Sequence, residues 1–389
     1  MKLKTLQARN FRNVERVELA CGPRLNVFVG ENGQGKTNIL ESIYVLGQLR
    51  SFRGVGRAEL TRWGAEVVGL KGTLEHPAHG DGFTLETLWD RQRRVLKVQG
   101  RETNRTLDYL GHLRALVFSA DSAQVVKGPP QERRQLVDRA LVSLQPTYLG
   151  LLQRYHMALK QRNQLLKEPR RDRVSLDVWN AKFAELGADV IRARGRYLAR
   201  LNRHLARLSE VKLEDANALR LRYEPALGRT PSTNAVEEGE VDLLAASDLA
   251  ERLMEGIASV EREEQRFRVS LVGPQRDDVS FRLHGHDMRS YGSQGEQRLG
   301  MFLVLMAMLE DVETEIGTPP VVLLDDMTSE LDQRRRGLLW EFLHAIRAQV
   351  FLTGTDWNPE LEMLCADVPE TCVWKVRAGT LVRNTEDLT

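Results

Sequence analysis

Residues 30–37 constrain this chain more than any other part of its sequence, because they match the phosphate-loop pattern G-x-x-x-x-G-K-[ST]. An apolar run at 25–30 precedes the loop as a buried strand would, and a helical pattern follows it. Glycines let backbone N–H groups approach a phosphate, a lysine supplies positive charge, and the N-terminus of a helix adds its dipole. The pattern therefore predicts a nucleotide-phosphate site. Its residues are Gly30, Glu31, Asn32, Gly33, Gln34, Gly35, Lys36 and Thr37.

A second candidate segment is the apolar stretch 321–324, which two carboxylates, Asp325 and Asp326, follow directly. A buried strand of this kind brings its last side chains to the carboxyl edge of a parallel sheet, where nucleotides bind. We expect Asp325 to bind Mg²⁺ together with the Thr37 hydroxyl, since Mg²⁺ prefers oxygen ligands. Asp326 is then placed to orient or deprotonate the attacking water and is the predicted catalytic residue. Taken alone, the two aspartates also suit a turn after a strand.

Residues 293–297 have the sequence Ser-Gln-Gly-Glu-Gln and precede another helical pattern. They resemble the signature motif of ABC ATPases, in which a serine and a helix N-terminus cap a γ-phosphate. An ordinary turn with a serine N-cap is the alternative. The order of phosphate loop, long insertion, SQGEQ and paired aspartates favours the signature motif. Residues 329–332, SELD, resemble the D-loop of the same ATPases, so that Ser293, Gly295 and Asp332 join the predicted nucleotide ligands.

The spacing of apolar residues separates the two ends of the chain from its middle. Residues 1–120 alternate as strands and turns around one helix, and strand patterns return after Phe267. Helical patterns fill the middle, at 132–166 (with Pro146 as a break), 176–209 and 242–264. We therefore predict an α/β fold, with an ABC-type P-loop ATPase head built from both chain ends and an inserted, mostly α-helical lobe. The predicted limits are 1–125 plus 266–389 for the head and 126–265 for the lobe.

Composition indicates a globular, intracellular protein. Of the 389 residues, 42% are hydrophobic and 28% are charged, which excludes bulk disorder. The longest apolar run, 301–309, is far shorter than the about 20 residues that a membrane-spanning helix needs. The chain start has no apolar signal region, and the three cysteines form no C-x-x-C pair. We expect a cytoplasmic protein without a membrane anchor.

The positive and negative charges are distributed unevenly. The net charge of the whole chain is +2, whereas residues 131–210 carry +9 and residues 211–265 carry −7. Arginines in the basic region recur every three or four residues and share one helix face, namely Arg192, Arg196, Arg200, Arg203 and Arg207. Such a face suits contact with a polyanion. The alternative is a solvated face paired with acidic neighbours.

Further segments make the chain resemble the RecF family, bacterial recombination proteins related to the SMC and Rad50 ATPases. These segments are Asn-Phe-Arg-Asn at 10–13, Ser-Phe-Arg at 51–53, Lys-Gly-Pro-Pro at 127–130 with Arg133, Arg134 and Asp138, Gly-Pro-Gln-Arg-Asp-Asp at 273–278, and the L-D-D-x-x-S-E-L-D pattern at 324–332. The resemblance extends from about residue 3 to 356. It implies ATP and Mg²⁺ as cofactors and adds Arg12 to the nucleotide-binding residues.

Two departures from related ATPases affect the expected chemistry. Residues 120–123 replace the Pro-Glu-Asp-Leu that the family usually has, which leaves Asp121 and Gln124 as alternative Q-loop residues. Most ABC proteins carry a switch histidine after the strand that follows the D-loop. Here that strand leads into Thr-Gly-Thr-Asp at 353–356, without histidine. RecF-like proteins share this absence, which implies weak or slow hydrolysis.

The resemblance also implies a mechanism in which ATP joins two chains head to head. Ser293 of one chain would face the γ-phosphate held by Lys36 of the other, and slow hydrolysis at Asp326 would release the homodimer. The dimer would bind double-stranded DNA near single-strand gaps or junctions, support recombinase loading and SOS induction, and act with RecR and RecO. The predicted DNA contacts are Arg50, Arg53 and Arg57 on the head, and Arg133, Arg192, Arg194, Arg196 and Arg203 on the insertion.

Other functions match parts of this pattern less well. An SMC/Rad50-like chromosome-structural ATPase is the main alternative, but helical arms of about 35 residues span only about 50 Å, too short for its coiled coil. A transporter subunit would have its signature about 100 residues after the phosphate loop, whereas the separation here is about 260 residues. A small-molecule P-loop kinase would lack the SQGE and SELD segments.

Overall fold

The computed structural model describes most of the chain, namely residues 1–76, 78–168, 172–211, 218–228, 245–326, 337, 340–341 and 343–383. The contacts divide the chain into two units, Met1–Ser122 with Val312–Thr389 and Ala123–Asp311. Residues 266–311 therefore pack with the helical middle, although the sequence assigns them to the head. The reason is that a strand in this segment pairs with a strand of the insertion. The division into an ATPase head and a lobe remains a prediction.

A mostly parallel sheet forms the centre of the first unit. Its strand order is β15-β14-β3-β13-β12-β8, and only β15 runs antiparallel to its neighbour. The strands are β3 (Leu25–Val29), β8 (Ala115–Ser119), β12 (Val321–Asp325), β13 (Val350–Gly354), β14 (Cys372–Arg377) and β15 (Thr380–Arg383). Strands β3, β12 and β13 are rich in Val, Leu and Phe, and all their residues are buried, as expected for inner parallel strands. The carboxyl ends of these three strands lie at one edge of the sheet.

The same unit contains an antiparallel sheet with strand order β2-β1-β4-β5-β6-β7. The strands are β1 (Lys2–Phe11), β2 (Val14–Ala20), β4 (Val68–His76), β5 (Gly80–Trp89), β6 (Arg94–Val98) and β7 (Arg101–Thr103). Buried and exposed side chains alternate along β1 and β2, which matches a sheet with one covered face. Strands β4, β5 and β6 pair antiparallel in succession, in line with the strands and turns predicted within residues 1–120.

Helix α1 (Lys36–Gln48) follows the phosphate loop and is buried almost throughout. It contacts strands of both sheets, including β1, β4, β8 and β12. Ile39, Leu40 and Ile43 are at most 1% exposed, which explains why the helix holds one position between the sheets. The shorter helices of this unit are α2 (Arg57–Leu60), α3 (Thr106–Tyr109) and α12 (Pro359–Asp367).

The second unit is mainly helical. Its described helices are α4 (Gln124–Lys127), α5 (Pro130–Leu144), α6 (Thr147–Lys167), α7 (Arg173–Val211), α8 (Ala246–Ser259), α9 (Glu261–Phe267), α10 (Met288–Tyr291) and α11 (Gln294–Ile316), of which residues 294–311 belong to this unit. A three-stranded antiparallel sheet joins β9 (Leu219–Glu224), β10 (Asp278–Leu283) and β11 (His286–Asp287). The predicted break at Pro146 is confirmed between α5 and α6. None of the helices described here combines the length and apolar composition that a membrane crossing requires.

Candidate nucleotide-binding site

The phosphate loop runs from the carboxyl end of β3 to the first turn of α1. The Lys36 ammonium donates to the backbone carbonyls of Gly30 and Glu31, the latter at 2.9 Å. Lys36 is only 7% exposed, and burial lowers its pKa, although the carboxylates of Asp326, Asp325 and Asp356 act in the opposite direction. A buried ammonium enclosed by its own loop is suited to bind phosphate oxygens.

Two glycines let this loop pass close to its neighbours. A Cβ at Gly30 would lie 2.5 Å from the carbonyl oxygen of Val376 in β14. Gly35 has φ +106°, and a Cβ there would lie 2.7 Å from the Asn13 side chain. Any larger residue would displace the loop or strain its backbone. The glycines of the motif therefore serve the local packing as well as the approach of a phosphate.

Side chains and backbone groups from distant parts of the sequence hold the loop in place. Asn13 Nδ2 donates to the carbonyl of Gly33 at 3.4 Å, and Asn13 Oδ1 accepts from Asn38 Nδ2 at 2.8 Å. The turn between β14 and β15 donates from the Ala378 N–H to Gln34 Oε1 at 2.6 Å, and its next N–H donates to the Gln34 carbonyl. The sequence reasoning missed this turn, since nothing in a local pattern connects residues 344 positions apart.

Asp325 lies where β12 reaches the phosphate loop. Its Oδ1 accepts from Thr37 Oγ1 at 2.8 Å and from Thr353 Oγ1 at 2.9 Å. Burial raises the pKa of Asp325, while these two hydroxyl bonds act in the opposite direction. The oxygens of Thr37 and Asp325 thus adjoin one another, as the donor set of a Mg²⁺ ion requires. Thr353 is a further site residue, which its position as a polar residue in a buried strand could have revealed.

Asp326 follows β12 in a left-handed backbone conformation, with φ +53°. Its N–H donates to Thr353 Oγ1 at 2.8 Å, so one threonine contacts both aspartates of the pair. Positive φ is uncommon for residues other than glycine and is retained where surrounding contacts determine the backbone. The fold therefore fixes the backbone of the candidate catalytic residue. Asp332, the predicted D-loop ligand, lies outside the described residues.

Arg12, predicted to bind nucleotide, lies near α1 but contacts protein groups. Its Nε and Nη2 donate to the two carboxylate oxygens of Glu41 at 2.9 and 3.1 Å, and its Nη1 donates to the Glu59 carbonyl. Glu41 is fully buried and also accepts from Ser51 Oγ. In this conformation Arg12 connects the end of β1 to α1, a structural role that the sequence did not suggest.

The candidate signature motif begins α11. Ser293 N–H donates to Glu296 Oε2 at 2.7 Å, and Glu296 N–H donates to Ser293 Oγ at 3.2 Å, which is a capping box. Buried Gln297 donates to the carbonyls of Met288 and Gly292. Ser293 is exposed and Gly295 is half-buried. The serine cap that was the alternative to a signature motif is thus real, and it presents the serine and the first turn of a long helix to solvent.

Comparison with known proteins decides the family. The model of the RecF/RecN/SMC N-terminal domain matches residues 2–359. The chain is 37% identical over 357 residues to the DNA replication and repair protein RecF of Geotalea uraniireducens (strain Rf4), which covers 91% of this chain and 93% of that protein. The chain belongs to the RecF family.

Solved structures agree with this assignment. A structure of the recombination mediator protein RecF-ATP in the RecFOR pathway superimposes with a TM-score of 0.86 at 29% identity, covering 98% of this chain and 97% of the other. The Smc head domain of Pyrococcus furiosus, with an extended coiled coil, reaches a TM-score of 0.53 at 16% identity, covering 98% of this chain and 96% of that one. The second likeness concerns the fold alone. The predicted ABC-type ATPase head fold and the RecF resemblance are both confirmed.

Two of the arginines predicted as DNA contacts of this RecF-family chain are structural instead. Arg133 is 2% exposed and forms a bidentate pair with Asp278 at 2.8 Å. Arg194 is 4% exposed and forms a bidentate pair with Asp138 at 2.9 Å. Both guanidinium groups are buried and paired with carboxylates, so they are not surface cations. The prediction that they contact DNA was therefore wrong. Basic residues near a family motif do not reveal their burial from sequence.

The other candidate arginines are accessible to different degrees. Arg196 and Arg203 are exposed on α7, whereas Arg192 is half-buried and contacts Asp189 at 3.4 Å. Arg53 and Arg57 are exposed in the first unit, and Arg50 is half-buried. Arg200, which belongs to the same predicted helix face, pairs with Asp311. Fewer of the predicted arginines of this RecF-family chain are therefore exposed than its sequence suggests.

Proposed function

We propose that this chain is an ATP-dependent DNA-binding protein of recombinational DNA repair, in which ATP joins two copies of the chain. The observation that carries the proposal is the contact of Thr37 with Asp325 directly beside the buried Lys36. A phosphate loop, an oxygen pair suited to Mg²⁺ and a second carboxylate, Asp326, meet at one edge of the parallel sheet. Membership in the RecF family supports the link to repair.

The nucleotide chemistry follows from the residues at this edge. Lys36 would exchange the carbonyls of Gly30 and Glu31 for β- and γ-phosphate oxygens. Thr37 and Asp325 would hold Mg²⁺, which neutralises phosphate charge when bound. Asp326 would orient the attacking water, with its backbone fixed by Thr353. The described segment 353–356 provides no histidine, so we expect hydrolysis to be slow and to act as a reset.

The signature motif would complete the site of a second copy. Ser293 is exposed at the N-terminus of α11, where backbone N–H groups and the helix dipole favour an anion. The Ser293 hydroxyl accepts from the Glu296 N–H, a bond that leaves its own proton to donate to a γ-phosphate oxygen. Two such sites per dimer would couple nucleotide binding to association, because a ligand bound only by the dimer stabilises it.

We further propose that the dimer binds duplex DNA near single-strand gaps or junctions. Arg53, Arg57, Arg196 and Arg203 are the exposed candidates for phosphate contacts. Contacts of this kind are independent of base sequence. Each one makes the slope of log affinity against log salt concentration more negative by about one. RecR and RecO are the proposed protein partners in the cytoplasm, since structural relatives are described as recombination mediators of the RecFOR pathway.

Two variants separate nucleotide binding from dimerisation. Lys36→Met should abolish both ATP binding and the ATP-dependent increase in mass measured by light scattering. Ser293→Arg should retain ATP binding by the monomer and abolish the increase in mass, because it alters only the surface offered to the other chain. A wild-type mass that ATP leaves unchanged would exclude the dimer model.

Two further measurements test the later steps. Duplex affinity across a salt series should be higher with ATP, and Arg203→Ala should reduce the salt slope by about one. Arg194→Met is the contrasting variant, which should destabilise the fold without that specific change in slope. Asp326→Asn should give a dimer that outlives the wild type. A dimer lifetime equal to that of wild type would show that Asp326 is not the catalytic carboxylate.

A further inference from the structure

Three histidines of the first unit meet at one end of the antiparallel sheet. His76 ends β4, His79 lies in the connection to β5, and His112 follows α3. One ligand atom from each ring lies within 4.8 Å of the corresponding atoms of the other two. Among the residues that the structure describes, these three side chains form a group that could hold a metal ion, and the proposed nucleotide chemistry does not use it.

Hydrogen bonds determine where the protons of two of these rings lie. His112 Nε2 lies 3.2 Å from the Asp108 carbonyl, which can only accept, so Nε2 carries the proton and Nδ1 has a lone pair. That Nδ1 lies 3.1 Å from His76 Nε2. His76 Nδ1 accepts from the Ala78 N–H at 3.2 Å, which places the proton of the neutral ring on Nε2. The two rings thus share one proton at the centre of the group.

Two of the three rings are partly buried, and an aromatic side chain lies against all of them. Burial and the neighbouring His112 and His79 lower the pKa of His76 to about 4, and burial likewise lowers the pKa of His112. Neutral imidazole is the form in which histidine binds a transition metal. Phe83, which is 2% exposed, contacts all three rings with centroid distances of 4.6–4.9 Å. His79 stacks on Phe83, while His76 and His112 are tilted against it, and these ring contacts do not require the nitrogen atoms to converge.

We propose that His76, His79 and His112 bind one divalent transition-metal ion of the zinc class. In a tetrahedral site with Zn–N bonds of about 2.1 Å, ligand nitrogens lie about 3.4 Å apart. The separation of 3.1 Å between His76 and His112 is already close to that value. His79 is exposed in a turn and has to move by about 1–2 Å, after which water completes the fourth position, as in open three-histidine sites.

Metal binding changes one proton position. The ion takes the place of the proton on His76 Nε2, which moves to Nδ1, so the weak bond from the Ala78 N–H is lost and no net proton is released. His112 keeps its bond to the Asp108 carbonyl, the outer contact that orients metal-bound histidines. Such an ion would link the β4–β5 connection to the segment after α3. Helix α3, which directly precedes that segment, is bonded to α1, since the Tyr109 hydroxyl donates to the Leu46 carbonyl.

Binding of Zn²⁺ and Co²⁺ to the full chain tests this site. The protein is kept free of nucleotide, and excess Mg²⁺ is added to compete with Zn²⁺ and Co²⁺ for the oxygens of Thr37 and Asp325. We expect one Zn²⁺ per chain by calorimetry and the intense visible absorption of tetrahedral Co²⁺. His79→Ala and His112→Ala should each weaken Zn²⁺ binding at least about tenfold, since even outer-contact substitutions cost about 10- to 100-fold. The exposed His344, in the same unit, provides the control variant His344→Ala, which should bind as wild type does.

The outcomes either support or exclude the site. His79 is exposed, so His79→Ala should fold normally, and urea denaturation of each variant verifies this. Loss of the Co²⁺ spectrum in His79→Ala with an unchanged spectrum in His344→Ala supports the proposal. Absence of stoichiometric Zn²⁺ binding by wild type, or equal binding by wild type and His79→Ala, overturns it. The result does not depend on the proposed nucleotide chemistry, because the test uses neither ATP nor DNA.

Discussion

The phosphate loop (residues 30–37) is held by contacts with distant parts of the sequence, whereas the signature loop (residues 293–297) is held by contacts with its near neighbours. The phosphate loop is bonded to Asn13, to Asp325 and to the turn at 378–379, and the last of these lies 344 positions away in the sequence. Asn38 in turn donates to Asn13. The signature loop is held from within, by bonds that span three to nine residues. The first loop therefore depends on the folding of its whole unit, whereas the second forms with its own helix.

This difference suits the two proposed roles. A loop that encloses a triphosphate gains from a rigid arrangement set before binding, since less order then has to be imposed on association. A motif offered to a second chain has to keep its shape while it is exposed to water, and a capping box provides that locally. The comparison predicts that substitutions at distant partners disturb the phosphate loop, and that only nearby substitutions disturb the signature loop.

Arg12→Met should have the largest effect. It leaves the fully buried Glu41 carboxylate without its bidentate cation, and breaking a buried pair in this way costs about 3–5 kcal/mol of unfolding free energy. Because Glu41 belongs to α1, nucleotide binding should weaken as well. Urea denaturation and ATP titration measure the two effects. Arg16→Met is the matched control, since its partner Glu18 and Arg16 itself are exposed, and it should cost less than about 1 kcal/mol.

The second-largest effect is a change with pH in the free energy of unfolding. It depends on His204, which is bonded to Glu310 and Asp311 on α11, the helix that begins at the signature loop. Hydrogen bonds to Asp311 and then Glu310 raise the pKa of His204 to about 9, against about 6.5 in the unfolded chain. The bound proton stabilises the fold fully below about pH 6.5, and this contribution is lost as pH rises through 9. We expect wild type to lose about 2 kcal/mol more than His204→Gln between pH 6 and about pH 9.5 in urea denaturation.

This measurement shows whether α11 also has a long-range attachment. Arg200 Nε donates to Asp311 Oδ1 at 2.8 Å and remains charged over the whole pH range, so part of the attachment persists at high pH. Identical pH profiles for wild type and His204→Gln would show that the histidine contributes nothing to it. Nucleotide binding should not follow this pH dependence in either protein.

Two glycine substitutions test how closely the phosphate loop is confined. Gly33 and Gly35 both have positive φ, but a Cβ at Gly33 meets nothing within 4 Å, whereas one at Gly35 meets Asn13. Both alanine variants share the backbone strain of about 1 kcal/mol, and Gly35→Ala should lose about 1–2 kcal/mol more through overpacking. Denaturation of the two variants, repeated with Asn13→Ala, checks this. A difference that persists without the Asn13 side chain would mean that the contact is not its cause.

The elements of the fold were predictable where apolar periodicity is strong. The runs that form β3, β12 and β13 are rich in Val, Leu and Phe, so burial on both faces is evident from sequence. The packing of residues 266–311 with the insertion was not predictable. It depends on the pairing of β10 with β9 across a sequence separation that local patterns do not report.

The candidate site was predictable only where its residues form a local sequence pattern. The phosphate-loop residues form a contiguous motif, and Asp325 follows from a strand that ends in carboxylates. The partners Thr353, in β13, and Ala378, in the turn between β14 and β15, lie far from the motif in sequence and were missed. Arg194 shows the opposite error, since a basic residue in a basic helix was assigned to the surface. Its pairing with Asp138 depends on which face of α7 is covered, and only the packed helices determine that.

Glu296→Ala should give the smallest effect and tests the local half of the comparison. The substitution removes the acceptor for the Ser293 N–H and should cost about 0.5–1 kcal/mol in helix stability. We expect unchanged ATP affinity in the monomer and ATP-dependent dimerisation weakened by a factor of about 2 to 5, the equivalent of that free energy. Glu296→Gln is the matched control, because glutamine also completes a capping box, and it should dimerise nearly as wild type does. A loss of monomer ATP affinity in Glu296→Ala would show that the two loops are not independent, and the contrast between distant and local attachment would then describe the bonds but not the behaviour of the protein.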